Sequence, residues 1–231
     1  MIQLLKTLDW SPLYISLKTG IVATIFSFFL GIFAARQIMK AGPRGKAIAD
    51  GILTLPMVLP PTVAGFFLLL IFSKRRPFGI FLYHQFGIKV VQTWLGCIIA
   101  AVVISFPLMY RNARAAFEQM DVNLVYAART LGMSEISIFW KIVLPTASPG
   151  VISGTILTFA RALGEYGATS MLAGNIPKKT STISQRIAMV LQDGNYATAG
   201  LWVAIVMVIA FIAIFTMNIV TTKKNKRIQR W

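Results

Sequence analysis

Long uncharged apolar runs alternate along this chain with short basic ones. Residues 19–35 carry no charge between Lys18 and Arg36, and 51–73 carry none between Asp50 and Lys74. The same holds for 90–110 between Lys89 and Arg111, for 142–160 between Lys141 and Arg161, and for 194–222 after Asp193. A membrane-spanning helix needs about 20 mainly apolar residues. The pattern therefore predicts five spans, at about 13–35, 51–73, 90–110, 144–172 and 197–222. Lys18 sits one turn inside the first and can snorkel to the surface. The fourth stays apolar past Arg161 and Glu165 to Leu172. The expected fold class is all-α, a polytopic membrane helical bundle forming a single transmembrane domain over 1–231.

Composition sharpens this. The chain is 56% hydrophobic and 13% charged, with a mean hydropathy of +0.70; average soluble domains carry roughly 25% charged residues. A charge at the centre of a spanning helix costs about 2.5–3.5 kcal/mol on insertion scales, which explains why charges collect in islands. The net charge of +16 could indicate nucleic-acid binding, but the basic residues flank apolar spans instead of forming a stripe, so membrane topology accounts for them and no nucleic-acid partner is expected. Met1–Thr7 starts apolar but is too short for a signal peptide and lacks a small-residue cleavage site. One cysteine, Cys97, and one histidine, His84, offer neither a disulfide nor a metal site. Cys97 reads as an apolar packing residue and His84 as a solvated residue in a polar connection. No cofactor or catalytic group is expected.

Five spans place the termini on opposite sides. The basic tail Lys223-Lys224-Asn225-Lys226-Arg227 assigns the C-terminus to the cytoplasm and the N-terminus to the outside. Thirteen Lys and Arg then fall in the inner segments 36–50, 111–141 and 223–231, against eight in the outer ones. The outer triplet Lys74-Arg75-Arg76 runs against that bias and suggests an anionic partner or substrate on that face.

The segment from Arg111 to Lys141 is too long for a bare loop. Asp121 can cap a helix running to Leu131, with Leu124, Val125, Ala128 and Leu131 on one apolar face. Gly132 stands where a left-handed residue would end it, and Ser134 can cap a second helix bearing Ile136, Phe139, Trp140 and Val143. Pro145 fits the boundary where the next span begins. From this pattern alone, a helical hairpin projecting into the cytoplasm and one resting flat on the bilayer are equally compatible.

Spacing separates the two. Ala127-Ala128, three residues, Gly132, nine residues, then Ile142-Val143-Leu144-Pro145 resembles the AAxxxGx9IxLP signature of the cytoplasmic loop of binding-protein-dependent ABC importer permeases. The resemblance implies that the helix-turn-helix at about 121–145, with Tyr126, Ala127, Ala128, Gly132, Ile142, Leu144 and Pro145, is the coupling loop that docks into an ATP-hydrolysing subunit. Tyr126 departs from the Glu the family often carries there, which bears on one polar contact with the ATPase. The chain has no G-x-x-x-x-G-K-[ST] loop; Gly45-Lys46 lacks the spacing. ATP hydrolysis is thus expected in a partner, and this chain is expected to be a transport subunit rather than an enzyme.

Leu55 to Gly65, Ser105 to Arg111, and Phe159-Ala160-Arg161-Ala162-Leu163-Gly164-Glu165-Tyr166-Gly167-Ala168-Thr169 followed by Gly174-Asn175-Ile176-Pro177 are similar to the molybdate branch of that family, with the sulfate branch close behind. The resemblance implies an oxyanion importer in the cytoplasmic (inner) membrane of a prokaryote. It also implies a homodimer of permeases, two ATPase copies and an extracytoplasmic molybdate-binding protein. Sulfate and tungstate are the alternative cargoes. An ion-coupled secondary transporter is the alternative of another class; such folds show inverted repeats and buried carboxylates, whereas here Glu165 is the one acidic residue in a span and no clear repeat is found.

The residues also carry their own chemistry. Pro56, Pro60 and Pro61 free backbone carbonyls in the second span, which a bilayer tolerates only against protein or a watery path; a packing kink is the plainer reading. Arg161 and Glu165, four apart, can pair on one helix face. They either brace the bundle or belong to the pathway or gate, since intramembrane charges face the bundle interior or water.

Overall fold

The computed structural model describes residues 8–228. The expectation about Met1–Thr7 and the last basic residue of the tail, Arg230, lie outside them. The described residues form helices and connections: α1 Ser11–Met39, α2 Pro43–Val58, α3 Pro61–Phe72, α4 Pro77–Phe86, α5 Trp94–Glu118 and α6 Val122–Thr130, then α7 Glu135–Leu163, α8 Gly167–Ala173, α9 Ile183–Gln192 and α10 Tyr196–Ile228. Helices α1, α5, α7 and α10 are each long and apolar enough to cross a membrane, and α2 with α3 are so only taken together as one bent pair, the form of a broken span or of a re-entrant loop.

The second span is therefore not one rod. Its two arms are bent by 107° from one another. A residue before proline is pushed out of the helical region, and Leu59 and Pro60 are accordingly extended, with ψ of 141° and 133°. Pro61 then sits where its fixed φ suits the first turn of a helix. Pro56, by contrast, stays inside α2 and breaks nothing. The fourth span also ends early. It stops at Leu163 and restarts as α8 at Gly167. The third begins at Trp94, not 90, and carries Arg111, Arg114 and Glu118 beyond the apolar stretch.

The bundle is built on α1, α5 and α7. At one end Ile32, Ala35 and Ile38 of α1 pack with Met109, Tyr110, Ala113 and Phe117 of α5 and with Phe139, Ala147 and Val151 of α7. Close approach depends on small residues: a Cβ on Gly31 would lie 2.8 Å from Met109, and one on Gly154 2.6 Å from Asn112 Cβ. Midway, the buried hydroxyls of Ser27 and Ser105 lie 3.2 Å apart across α1 and α5. Toward the other end Lys18 lies 3.8 Å over the Trp94 ring, whose indole donates to Thr19 Oγ1 at 2.9 Å. Cys97 is buried, as an apolar packing residue should be. His84 is exposed but belongs to helix α4, not to a loop; Pro77 in the first turn and the left-handed Gly87 at the end bound a short helix where only a polar connection was expected.

Candidate functional site

At one end of the bundle the hairpin forms through local capping. Asp121 Oδ1 accepts from the Asn123 amide at 2.9 Å and starts α6. Gly132 has φ +75°, a conformation costing other L-residues roughly 1–2 kcal/mol. Its amide donates to the Arg129 carbonyl at 2.9 Å and that of Met133 to the Ala128 carbonyl at 3.1 Å, closing the helix end as a Schellman turn. Ser134 Oγ accepts from Ser137 and starts α7. Arg129 Nε donates to Glu135 Oε1 at 2.6 Å across the turn, and this partner holds the guanidinium protonated above its ordinary range.

Pro145 sits in the first turn of the α-helical stretch Leu144–Leu163, the boundary expected of it, but no break in the helix marks that boundary. The chain runs unbroken from Glu135 to Leu163 through one π turn, Phe139–Val143. There the Leu144 amide reaches back five residues to the Phe139 carbonyl, and this wider turn accommodates a proline that lacks an amide for the usual ladder. The second helix of the hairpin is thus the start of a span, so movement of the hairpin is movement of α7.

The two predicted apolar faces divide between bundle and surface. Ala128, Ile138 and Phe139 are buried, and Phe139 packs edge-on against Phe117 with ring centroids 5.9 Å apart. Arg36 lies 4.4 Å over the Phe139 ring. Leu131 is 81% exposed, and Leu124, Tyr126, Ile136 and Trp140 are exposed beside it. Of the remaining signature residues, Ala127 and Pro145 are exposed and Ile142 and Leu144 half-buried. A cleft of about 430 Å³ lies between the hairpin and the ends of α1 and α5, lined in part by Arg36, Lys40, Tyr126 and Arg129.

The broken spans meet deeper in the bundle. A Cβ on Gly65 of α3 would lie 2.7 Å from Ala168 Cα, and one on Gly167 3.0 Å from Pro61 Cβ and 3.1 Å from the Thr62 nitrogen. So the start of α3, just after Pro60-Pro61, is seated directly on the start of α8. Glu165, 2% exposed, fastens that junction. One carboxylate oxygen accepts from Arg161 Nη1 at 2.8 Å and the other from the Ala168 amide at 2.8 Å. The predicted Arg161–Glu165 pair is present, but Glu165 lies past the helix end and bridges the gap between α7 and α8. The structure thus brings Pro60, Pro61, Arg161 and Glu165 into one region and leaves Pro56 a turn away within α2.

A further charged cluster went unseen in the sequence. Asp50 of α2 accepts from Tyr110 and Arg114 of α5. Arg114 also donates to Glu118 at 2.8 Å, and Lys46 lies 3.6 Å from Glu118. These bonds tie α2 to α5 near the hairpin. The four-residue steps Tyr110, Arg114, Glu118 mark one face of α5, and this was the available signal; nothing local pointed to Asp50.

Residues 27–225 match the family described as binding-protein-dependent transport system inner membrane component. The chain belongs to that family. It is similar to the molybdenum transport system permease protein ModB of Escherichia coli K12, with 45% identity over 184 residues, 80% of each chain. It is 39% identical to the putative molybdenum transport system permease protein YvgM of Bacillus subtilis 168, covering 89% of this chain and 91% of the relative. The sulfate transport system permease protein CysT of Salmonella typhimurium LT2 is 34% identical, over 93% of this chain and 77% of that one. Among solved structures, a chain from inward-facing conformations of the MetNI methionine ABC transporter superposes with TM-score 0.70 at 16% identity, covering 92% and 94%. One from a bacterial alginate ABC transporter, in complex with an alginate pentasaccharide-bound periplasmic protein, superposes with TM-score 0.75 at 16% identity, covering 97% and 82%. At that identity the superpositions show the shared fold. The chain is an ABC importer permease and a multi-pass membrane protein, and its resemblance to the molybdate permeases is borne out.

Proposed function

We propose that this chain forms the membrane path of an ATP-driven importer of molybdate. In this reading an extracytoplasmic binding protein delivers the anion, and two copies of a separate ATPase subunit supply the energy. A second copy of the chain completes the path, since five crossings are few to enclose one; α2, with no buried residue among those described, supports a partner on that side. The chain lies in the cytoplasmic (inner) membrane of a prokaryote, N-terminus outside and C-terminus inside.

The observation that carries the coupling role is the hairpin's construction. Its exposed apolar tip at Leu131 and Ile136 offers a surface for a partner, while its base at Phe139 is packed into the α1–α5–α7 core. ATP-driven closure of the ATPases would move the tip, and the unbroken α7 would carry that motion to the junction at Glu165. The ATPase thereby biases a bundle with two arrangements. Molybdate rather than sulfate is supported by the higher identity to the molybdenum permeases, and sulfate is the second reading because the sulfate relatives align over more of the chain.

Labelled molybdate uptake in cells with and without the chain, competed by tungstate and by sulfate, tests the proposal. Uptake that requires the chain and yields to tungstate but not to excess sulfate supports it. Competition by sulfate moves the cargo to the second reading, and uptake indifferent to the chain overturns both.

A further inference from the structure

A cavity of about 230 Å³ lies between α8 and α9, with Tyr166, the residue after Glu165, on its wall. Tyr166, Ser170, Asn175, Gln185, Met189 and Gln192 contribute to its wall, and among the described residues no Asp, Glu, Lys or Arg lines it. Gln185 is committed to the scaffold: its Nε2 donates to the Gly174 carbonyl at 2.9 Å and its Oε1 accepts from the Thr182 amide at 2.9 Å. The hydroxyls of Tyr166 and Ser170 and the carboxamide of Gln192 bond to no other described residue. Asn175 Nδ2 has only the Met189 sulfur at 3.8 Å. Four neutral donors therefore line one cavity without being tied to another oxygen or nitrogen of the described residues, three of them (Tyr166, Asn175 and Gln192) on its exposed rim, on a frame fixed by the Thr182–Gln185 capping box.

We propose that this pocket is a transit site where a tetrahedral oxyanion is held during passage, an inference that rests on the oxyanion reading above. Each anion oxygen can accept from a hydroxyl or amide, and such charge-assisted bonds are about twice as strong as neutral ones. A transit site must bind well enough to admit its ligand and weakly enough to release it. Neutral donors meet that need, whereas a free guanidinium would hold a dianion too firmly. The nearby Arg161 has its charge countered by Glu165. Lys178, Lys179 and Arg186 lie in the connection and helix beside the pocket and raise the local concentration of anions without lining it. A second polar cavity, of about 360 Å³ near Asp50, is less suited, because the Asp50 and Glu118 carboxylates line it beside Arg111 and Arg114, and Arg114 is already paired with both.

The test uses the complete transporter in proteoliposomes, this chain with its ATPase and binding protein, given labelled molybdate and, separately, labelled sulfate. Tyr166→Phe and Ser170→Ala should each lower oxyanion uptake about tenfold, the worth of one hydrogen bond to a charged group, with chain abundance and ATP hydrolysis retained. In a Cys97→Ala background, Ser170→Cys should react with a small charged thiol reagent, and molybdate present during turnover should slow that reaction. Variants that transport like the parent, or labelling indifferent to the anion while the parent transports it, would overturn the pocket assignment alone. A parent complex that moves neither anion would overturn the oxyanion reading and the pocket with it.

Discussion

The hairpin and the paired breaks both interrupt helices, by opposite means. At the hairpin every stop is satisfied within a few residues, by Asp121, Gly132 and Ser134, and the apolar side chains left over face outward. At the breaks the stops are held by distant parts of the chain, Gly65 on Ala168, Gly167 on Pro61, and Glu165 between two helices. A locally capped element can change its surface and keep its shape. A junction of backbone against backbone cannot accept even one added methyl without moving. The first suits an element that must meet a partner, and the second an element that must keep two irregular segments in register inside a membrane.

Substitutions at four sites break or sharpen this contrast, the largest effect first. Gly65→Leu should be the most damaging, because its Cβ would meet backbone at Ala168; overpacking of this kind costs about 1–3 kcal/mol or more. Chain abundance in the membrane, read by immunoblot with a thermal shift of the purified protein, should fall along with uptake. Glu165→Ala should follow, losing about 1.5–3 kcal/mol for a hydrogen bond to a charged group. Glu165→Gln, which keeps an acceptor for Ala168, should lose less, and a charge swap of Arg161 and Glu165 should restore transport incompletely since arginine cannot accept from that amide. Equal thermal midpoints for the Ala and Gln variants would remove the bridging role. Gly132→Pro should leave the chain in the membrane but abolish ATP-driven uptake, as proline cannot adopt a φ of +75°; uptake that survives would show that this turn does not couple. Arg129→Ala should have the smallest effect, an exposed ion pair being largely screened, visible if at all as a salt-sensitive change in ATPase affinity.

The same contrast explains what could be read from the sequence. The caps of the hairpin were legible because a cap acts on amides two or three positions away. Four of the five expected crossings are single long apolar helices, legible because hydropathy records length. Hydropathy does not record direction, so Pro60-Pro61 announced a break but not its 107° turn. Pro145 announced the start of Leu144–Leu163 but not the π turn before it, because a π turn leaves no pattern in the residues that make it. The Arg161–Glu165 spacing gave the pair but not the end of the helix at Leu163, which depends on α8 being seated on α3. Asp50 and Arg114, 64 positions apart, share nothing that a single sequence displays.

The most direct test of the division between the two regions is Leu131→Asp. Leu131 is 81% exposed and supports no described core cluster, so the substitution should leave the thermal midpoint of the bundle unchanged. Copurification of the ATPase subunit with the variant, measured against the parent chain, is the readout. The account predicts loss of the ATPase with an intact bundle; full retention of the ATPase and of ATP-driven uptake would contradict the assignment of the hairpin tip as the docking surface.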